Sequence, residues 1–484
     1  MIKLDCRYAR LPAPAWVAQD PTPVRAPVLR AYNRGLAAEL GIDEQRRGAL
    51  AELFGGNRVP ESAQPLAMAY AGHQFGHFVP QLGDGRALLL GELADRQGRW
   101  HDLQLKGSGP TRFSRGGDGR AALGPVLREY LVSEAMHALG VPTTRALAAV
   151  TSGEFVQREQ PRPGAVLTRV ARSHVRVGTF QYFVARGDQA TIEALIEFTL
   201  ARLELDAGTN AALALFDHAI ESQAALVAAW MSFGFIHGVM NTDNCALSGE
   251  TIDYGPCAFM DEFDPQQVFS SIDRHGRYAY GNQPMIANWN LARLAECLLP
   301  QVDDDEAVAL SALNERLEAF PGRFEQHWRA RFGAKLGLVE ATSEDDALIH
   351  AFLEALHAGR ADFTRAFRHL ADAVDDEEAA DLRAGFGDNP GLAAWLTRWR
   401  ARLAEDGRSP EAVRAAMNAV NPDRIPRNHL VERAIRAAED DGDFSVFERL
   451  QCAWAEPFEY DEAFADLRDP PEDHERVRET FCGT

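Results

Sequence analysis

The spacing of hydrophobic residues divides the chain into a strand-rich part and a helix-rich part. In the first part, residues 87–90 and 103–105 are short apolar runs on either side of an Arg-Gln-Gly-Arg turn, which is typical of a β-hairpin. Residues 146–150 and 165–170 are further runs of this kind. We therefore predict strands between about residues 78 and 170.

One helix interrupts the predicted strands at about residues 123–139. Its apolar residues, among them Leu127, Leu131 and Leu139, recur near the spacing of a helical turn, and Gly140 follows as a stop signal. This helix is the only one that we predict within the strand-rich part.

Beyond about residue 189 the pattern becomes helical. We predict helices over residues 192–205, 211–235 and 291–299 and through most of the C-terminal third. Because strands come first and helices follow, the fold class is predicted to be α+β, with the two parts joined near residues 175–190.

The remaining segments are predicted to be peripheral. The first 65 residues begin as a proline-rich arm and then form a short helix at about residues 26–40. Acidic clusters at residues 303–306 and 375–378 lie in the helix-rich part. We interpret these clusters as solvated helix ends, because acidic residues favour helix N-termini.

The net charge limits the class of partner. The chain of 484 residues has a formal net charge of -21 and a pI near 5.1. It therefore lacks the broad basic surface that binding to nucleic acid requires. A basic pocket for a nucleotide remains compatible with this composition, because a few residues set the charge of a pocket.

The cysteines and the apolar runs indicate the compartment. The six cysteines are scattered without a CxxC pair, which disfavours a structural zinc site or a disulfide scaffold. The N-terminus does not resemble a signal peptide, and the longest mostly apolar run, residues 224–236, is shorter than the roughly 20 residues that span a bilayer. We expect a cytoplasmic protein that does not cross a membrane.

Two turns that contain glycine are candidates for phosphate contact. Gly83 and Gly85 precede Arg86 at the start of a strand, and glycine lets backbone N–H groups approach a phosphate closely. A plain β-turn explains this segment about as well, because Asp-Gly is a common turn signal. Asp118 and Gly119 form a second turn of this kind.

A lysine at a strand end and a glutamate on the predicted helix form a candidate pair. Lys106 follows the strand at 103–105, and Glu129 lies in the middle of the helix. Kinase-type sites hold a strand lysine with a helix glutamate to direct its charge at nucleotide phosphates, although each residue alone is more often a surface charge. Arg169 and Arg176 offer planar guanidinium groups to phosphate oxygens.

The densest polar cluster follows the apolar run at 224–236. Asp243 and Asn244 lie in a loop, and Asp253 begins an Asp-Tyr-Gly turn nine residues after Asn244. Phosphoryl or nucleotidyl transfer needs oxygen ligands for a divalent cation and a carboxylate near the attacking hydroxyl, and this stretch offers both. The alternative is a polar loop with Asx turns. Because Asp243 abuts Asn244 and no His-Arg-Asp triplet is present, an ordinary protein kinase is disfavoured.

Long stretches of this sequence resemble the selenoprotein O family, kinase-like proteins that transfer AMP, and in some members UMP, to proteins. The similarity covers about residues 66–290, with weaker similarity near 421–428 and at the C-terminus. The matching stretches are residues 70–76, 81–86, 105–111, 118–120, 133–146, 237–244 and 253–256.

The resemblance implies a bilobal, protein-kinase-like fold. Residues 1–65 are then an N-terminal extension, residues 66–185 a strand-rich N-lobe with one key helix, and residues 186–484 a larger helical C-lobe with a C-terminal extension. It also implies that ATP or UTP binds inverted relative to kinases. AMP or UMP then passes to Ser, Thr or Tyr hydroxyls of acceptor proteins or of the enzyme itself, and pyrophosphate leaves.

The resemblance also implies a role for each candidate residue. Asp243 would be the general base, and Glu129 would pair with Lys106. Asn244 and Asp253 would hold Mg²⁺ or Mn²⁺. The residues expected to contact the nucleotide are Gly83, Gly85, Arg86, Lys106, Asp118, Gly119, Arg169, Arg176 and Asp253.

Two alternatives share these residues: a phosphotransferase that uses the γ-phosphate, and a catalytically silent nucleotide-binding scaffold. The resemblance favours AMP transfer over phosphorylation. A silent scaffold predicts the loss of Asp243, Asn244 or Asp253, and the sequence keeps all of them.

Cys482, the third residue from the C-terminus, stands where some relatives carry selenocysteine. Relatives can link that position to a cysteine shortly after the metal-binding turn. Residues 264–273 contain no cysteine here, so a disulfide of Cys482, if one forms, is expected with Cys257 or Cys245.

Overall fold

The computed structural model describes residues 2–42, 47–387 and 389–481, and it confirms the α+β class. The strands are β1 (Trp16–Ala18), β2 (Val28–Tyr32), β3 (Leu66–Met68), β4 (Gly72–Gln74), β5 (His77–Val79), β6 (Ala87–Ala94), β7 (Trp100–Lys106), β8 (Ala121–Ala122), β9 (Arg145–Val156), β10 (Arg162–Ala171), β11 (Phe235–Ile236) and β12 (Ala258–Phe259).

Helices dominate after β10. The α-helices are α1 (Arg34–Glu39), α2 (Arg47–Phe54), α3 (Leu123–Ala138), α4 (Val177–Val184), α5 (Gln189–Leu203), α6 (Ala211–Ser232), α7 (Gln283–Leu298), α8 (Glu306–Glu318), α9 (Phe320–Lys335), α10 (Asp346–Gly359), α11 (Phe363–Leu370), α12 (Ala380–Phe386), α13 (Pro390–Glu405), α14 (Pro410–Asn418), α15 (Asn428–Asp440) and α16 (Ser445–Ala455).

An eight-stranded antiparallel sheet organises the first part of the chain. Its order is β1-β3-β6-β7-β10-β9-β2, and β8 pairs with β10. The predicted hairpin is β6 and β7, and the predicted helix among the strands is α3. Both edge strands, β1 and β2, come from the first 65 residues, so this segment frames the sheet.

The predicted helix at residues 26–40 is wrong in its first half. Residues 28–32 form β2, in which Leu29 and Ala31 are buried at the two-residue spacing of a strand and the backbone pairs with β9. The helix α1 begins only after Asn33, whose Oδ1 accepts a hydrogen bond from Leu36 N at 3.0 Å. Pairing with a distant strand therefore overrode the local pattern.

Apolar layers cover both faces of the sheet, and the face on which a residue lies determines which layer its side chain contacts. Leu103 and Leu105 of β7 are buried in the core that includes Leu36 of α1 and Leu50 of α2. Because side chains alternate along a strand, Lys106 lies on the opposite face, which α3 covers. Buried sheet faces thus direct the lysine towards the helix.

The helix-rich part also follows the sequence pattern closely. The helices α5, α6 and α7 overlap the predicted ones, although α6 ends at Ser232 and residues 235–236 pair with β12. Asp305 caps α8, where its Oδ1 accepts from Ala307 N at 2.9 Å, as expected for an acidic helix end. No helix among the described residues is long and apolar enough to cross a membrane.

The C-terminal helices pack back onto α3. Gly124 N at the start of α3 donates to Glu439 Oε1 of α15 at 2.8 Å. The rings of Tyr130 and Phe447, in α3 and α16, lie 5.7 Å apart. The end of the chain therefore supports the helix that carries Glu129.

Candidate active site

One cavity of about 740 Å³ brings most of the predicted site residues together. This volume lies within the range of sites for small molecules. Glu129 does not line the cavity but lies behind it and pairs with residues that do. The predicted residues that line it are Gly83, Gly85, Arg86, Lys106, Asp118, Gly119, Arg169, Arg176, Asp243, Asn244 and Asp253.

The cavity is cationic although the chain is acidic. Among the described lining residues, seven carry a positive charge and four carry a carboxylate. The whole chain has a net charge of -21. A concave site with this local excess attracts anions such as nucleotide phosphates. The positive residues are Arg86, Lys106, Arg115, Arg120, Arg158, Arg169 and Arg176.

Four charged residues form a charge cluster at the cavity wall, in which Glu129 and Arg169 are buried and Lys106 and Asp253 are half-buried. Lys106 Nζ lies 2.7 Å from Glu129 Oε2 and 2.5 Å from Asp253 Oδ1. Arg169 Nη2 lies 2.5 Å from Glu129 Oε1 and 2.7 Å from Asp253 Oδ1. Each cation thus contacts both carboxylates, and the ion pair predicted between Lys106 and Glu129 is present.

Strand register explains how this charge cluster forms. The pairing of β7 with β10 places Leu167 opposite Lys106 and Arg169 opposite Gln104. Gln104 and Lys106 share one face of β7, and Arg169 Nη1 donates to Gln104 Oε1 at 3.2 Å. The two cations therefore come from neighbouring strands on the face that α3 covers.

The cations stabilise the ionised form of Asp253. Burial alone would raise the pKa of this carboxyl, but the charges of Lys106, Arg169 and Arg176 hold it well below its ordinary value of 3.8. The backbone of Asp253 is left-handed, with φ of 66°. Asp tolerates this conformation better than most residues because its short side chain can hydrogen-bond locally.

Asp243 lies in the same cavity but has different surroundings. It is 8% exposed, and its Oδ1 has no hydrogen-bond partner among the described residues. Burial raises its pKa to about 6, although the charge of Arg176 opposes the shift. A carboxylate with a pKa near neutrality suits a general base, because it is ionised at neutral pH and still accepts a proton.

A strand that the sequence analysis left without a role holds the Asp243 loop. His73 N in β4 donates to Thr242 Oγ1 at 2.7 Å, and Phe75 N donates to Asn241 Oδ1 at 3.0 Å. A Cβ atom at Gly72 would lie 2.5 Å from Asp243 Oδ1, so glycine is required where β4 passes the carboxylate. Residues 70–76 are among the stretches that resemble the family, but their local pattern does not predict a contact with the Asp243 loop.

Arg176 and Asp84 link the loops around the cavity. Arg176 Nη1 donates to the backbone oxygen of Asp243 at 3.0 Å, and its guanidinium lies 4.4 Å from the centre of the Tyr70 ring. Its Nη2 lies 3.9 Å from Asp84 Oδ1. Asp84 is buried between the two predicted glycines and accepts from Met68 N at 3.1 Å. Asp84 was not predicted as a site residue from the sequence, although it lies between the two predicted glycines.

The glycine turn at Gly83 and Gly85 does not present free N–H groups. Gly83 N donates to Tyr70 O at 3.1 Å, and Gly85 N donates to Gly83 O at 2.8 Å. Gly83 has φ of 72°, and a Cβ atom there would lie 2.3 Å from the Phe113 ring. Its glycine is thus required by packing within the protein.

The second turn is held by an ion pair. Asp118 Oδ2 lies 2.9 Å from Arg158 Nη1, and Asp118 Oδ1 accepts from Arg120 N at 2.9 Å. Burial raises the pKa of Asp118, but the contact with Arg158 outweighs it and lowers the pKa overall. Arg158 was not predicted as a site residue, because it lies 40 residues away from Asp118 along the chain.

The donor set fits a divalent cation that is shared with a ligand. No group of three or more His, Cys, Asp or Glu side chains capable of holding a metal occurs among the described residues. The side-chain nitrogen of Asn244 donates to Val239 O at 3.0 Å, which leaves its amide oxygen as the acceptor atom. One amide oxygen and the Asp253 carboxylate suit Mg²⁺, which proteins often bind through few side chains plus substrate phosphates and water.

Comparison with known proteins assigns the family. The family described as "Protein adenylyltransferase SelO" matches residues 3–454. A "Protein nucleotidyltransferase YdiU" of Rhizobium etli is 57% identical over 484 residues, covering 99% of this chain and 97% of the relative. A protein of the same name from Rhodopseudomonas palustris is 55% identical over 487 residues, covering 99% of both chains. The chain therefore belongs to the SelO family of protein adenylyltransferases and is an enzyme that transfers nucleotides.

Proposed function

We propose that the enzyme moves AMP from ATP onto Ser, Thr or Tyr hydroxyls of proteins, including itself, through a cavity between the lobes of a kinase-like fold. The observation that carries this proposal is the cationic cavity in which Asp243 and the charge cluster lie. The proposed lobes are residues 66–185 and 186–484, after an extension over residues 1–65.

The chemistry requires one proton acceptor and stabilisation of a leaving group. Asp243 takes the proton of the acceptor hydroxyl, whose oxygen forms a bond to the α-phosphorus of ATP. The bond from the α-phosphorus to the bridging oxygen breaks, and pyrophosphate leaves with that electron pair. The positive charges of Lys106, Arg169 and Arg176 stabilise the pyrophosphate.

The proposed nucleotide orientation assigns these charges to the β- and γ-phosphates. If Lys106, Arg169 and Arg176 hold the β- and γ-phosphates deep in the cavity, the α-phosphate faces Asp243. Gly83, Gly85, Asp118 and Gly119 would then contribute through the shape of their turns. The phosphotransferase alternative uses the same residues but requires the γ-phosphate to face Asp243.

Asn244 and Asp253 are the residues that would hold a divalent cation. The cation, Mg²⁺ or Mn²⁺, would neutralise phosphate charge when bound with ATP. The pairing of Asp253 with Lys106 and Arg169 keeps its carboxylate ionised, which a cation ligand requires.

Position-specific labelling of ATP tests this function. The protein should incorporate label from α-labelled ATP and none from γ-labelled ATP, with a mass increase of one AMP for each modification. Parallel reactions with Mg²⁺ or Mn²⁺, and with UTP, identify the metal and the nucleotide. Asp243→Asn should abolish most of the incorporation, whereas the control Asp441→Asn, at an exposed carboxylate between α15 and α16, should not.

The outcomes separate the alternatives. Incorporation from γ-labelled ATP without α-label would establish a kinase in place of the proposed enzyme. No incorporation from either nucleotide with either metal would indicate a silent scaffold.

A further inference from the structure

A groove of about 500 Å³ adjoins the nucleotide cavity. Phe75 and Ile272 line both spaces, so the groove and the cavity lie next to each other on either side of these two residues. The other walls of the groove are residues 273–277 and the first turn of α7. An extended chain segment that lies in the groove and passes these two residues enters the cavity that Asp243 lines.

Two large apolar side chains at this groove are exposed. Ile272 is 56% exposed and Met285 is 63% exposed. Solitary exposed apolar residues are normal, but a pair at the rim of a concave site offers an anchor for a partner. Both side chains contribute to the wall of the groove.

The groove is also positively charged. Arg274 and His275 are exposed, and neither forms an ion pair with any residue that the structure describes. Arg277 packs over the Trp289 ring at 4.8 Å. The carboxylate of Asp273 is buried and accepts from the backbone N atoms of Arg277 and Tyr278 at 2.9 and 2.7 Å. Two arginines and one aspartate therefore line the groove, which gives it one excess positive charge.

We propose that this groove binds the acceptor protein and selects segments with acidic and apolar residues close to the modified hydroxyl. The inference rests on the proposed function. A chain of net charge -21 repels acidic partners over most of its surface, so a local positive groove determines where such a segment docks. Ile272 and Met285 would hold the apolar residue, and Arg274 would attract the acidic ones.

Synthetic peptides with a single serine test the proposal. One set places glutamates and a leucine beside the serine, and matched sets replace the glutamates by glutamines or by lysines. With α-labelled ATP, the wild-type enzyme should modify the glutamate set with the lowest KM. Arg274→Glu should raise the KM for that set about tenfold, because attraction becomes repulsion, and should lower the KM for the lysine set.

Controls distinguish this inference from the function on which it rests. Arg274 is exposed and lies outside the nucleotide cavity, so Arg274→Glu should leave the Kd for ATP unchanged. Arg398→Glu, at an exposed arginine of α13, should change neither peptide preference nor KM.

The possible outcomes separate the docking proposal from the proposed function. If wild-type protein modifies itself but shows no preference among the peptides, or if Arg274→Glu does not shift the preference, the docking proposal is overturned and the proposed function stands. If α-label enters neither the enzyme nor any peptide, both fail. A dimer that dissociates in Arg274→Glu without a change in peptide KM would assign the groove to a second copy of the chain and overturn the proposal.

Discussion

Replacing Asp253 by Asn and by Ala separates the charge of this residue from its backbone conformation. Both variants lose the carboxylate that contacts Lys106 at 2.5 Å and Arg169 at 2.7 Å. Both should therefore lose AMP transfer and metal-dependent binding of ATP, because a charged ligand is removed. Their folding stabilities, however, should differ from each other.

The magnitudes follow from the contacts. Breaking one side of a buried ion pair costs about 3–5 kcal/mol. We expect about 3 kcal/mol for Asp253→Asn, because Glu129 still pairs with both cations and the Asp253 side chain is 29% exposed. Asp253→Ala should cost about 1 kcal/mol more, because alanine lacks the local hydrogen bond that helps Asn adopt φ of 66°.

Urea denaturation at neutral pH, followed by tryptophan fluorescence, measures these differences. The same two substitutions at Asp441, which is exposed and has φ of -110°, are the matched control and should be equally stable. Equal stability of Asp253→Asn and Asp253→Ala would refute the argument from conformation.

The pH dependence tests the argument from charge. Because the folded-state pKa of Asp253 lies below 3.8, its stabilisation is complete above that pH and is lost as the pH falls through the folded value. The gap between wild type and Asp253→Asn should therefore narrow only below pH 3.8. A gap that stays constant there would show that the charge of Asp253 does not stabilise the fold.

Four other predictions concern turnover and stability at Asp243, the hydrogen bond of Thr480 and the thiol of Cys257. Asp243→Asn should bind ATP normally but lower turnover about 10²–10⁴-fold. The rate of the wild-type enzyme should rise as the pH increases through about 6, which assays with α-labelled ATP at pH values on both sides of 6 would show. The pKa of Asp243 in the folded protein is raised, so ionisation of this carboxyl destabilises the fold as the pH rises from 3.8 through about 6. Asp243→Asn should therefore melt at a higher temperature than the wild type at neutral pH. An unchanged melting temperature would contradict this. Thr480→Val removes the 2.6 Å hydrogen bond from Thr480 Oγ1 to Pro256 O and should cost about 1–3 kcal/mol, seen as faster hydrogen exchange in residues 256–271. Burial raises the pKa of the Cys257 thiol to about 12, which keeps it in the unreactive thiol form at neutral pH. Peptide mapping of oxidised protein should therefore find Cys257 free, and a disulfide between Cys257 and Cys482 would contradict this.

Local sequence patterns predicted the scaffold of the site. The hairpin of β6 and β7 and the helix α3 follow from alternation and helical spacing, and these elements position Lys106 and Glu129. The prediction worked because each pattern is complete within a few residues of the chain. Cys482 lies outside the described residues, so the disulfide predicted from the sequence is untested, and the burial of Cys257 and Cys245 argues against either of them as its partner.

Long-range contacts explain what the sequence did not reveal. Arg169 and Asp253 are 84 residues apart, and no local pattern indicates that they share a hydrogen bond. The contacts between β4 and the Asp243 loop span more than 160 residues. The prediction that Gly83 and Gly85 contact phosphate assumed that their N–H groups are free. In the structure these N–H groups donate to the backbone oxygens of Tyr70 and Gly83.

The packing of α15 and α16 against α3 bears on how the enzyme is synthesised. A ribosome releases the sheet, α3 and the Asp243 loop long before it releases residues 428–455. Until then α3 lacks the hydrogen bond from Gly124 N to Glu439 and the ring contact between Tyr130 and Phe447. We expect nascent chains, and fragments cut before α15, to hold Glu129 poorly beside Lys106 and to transfer no AMP. Catalytic competence would then arise only after residues 428–455 have left the ribosome and packed against α3.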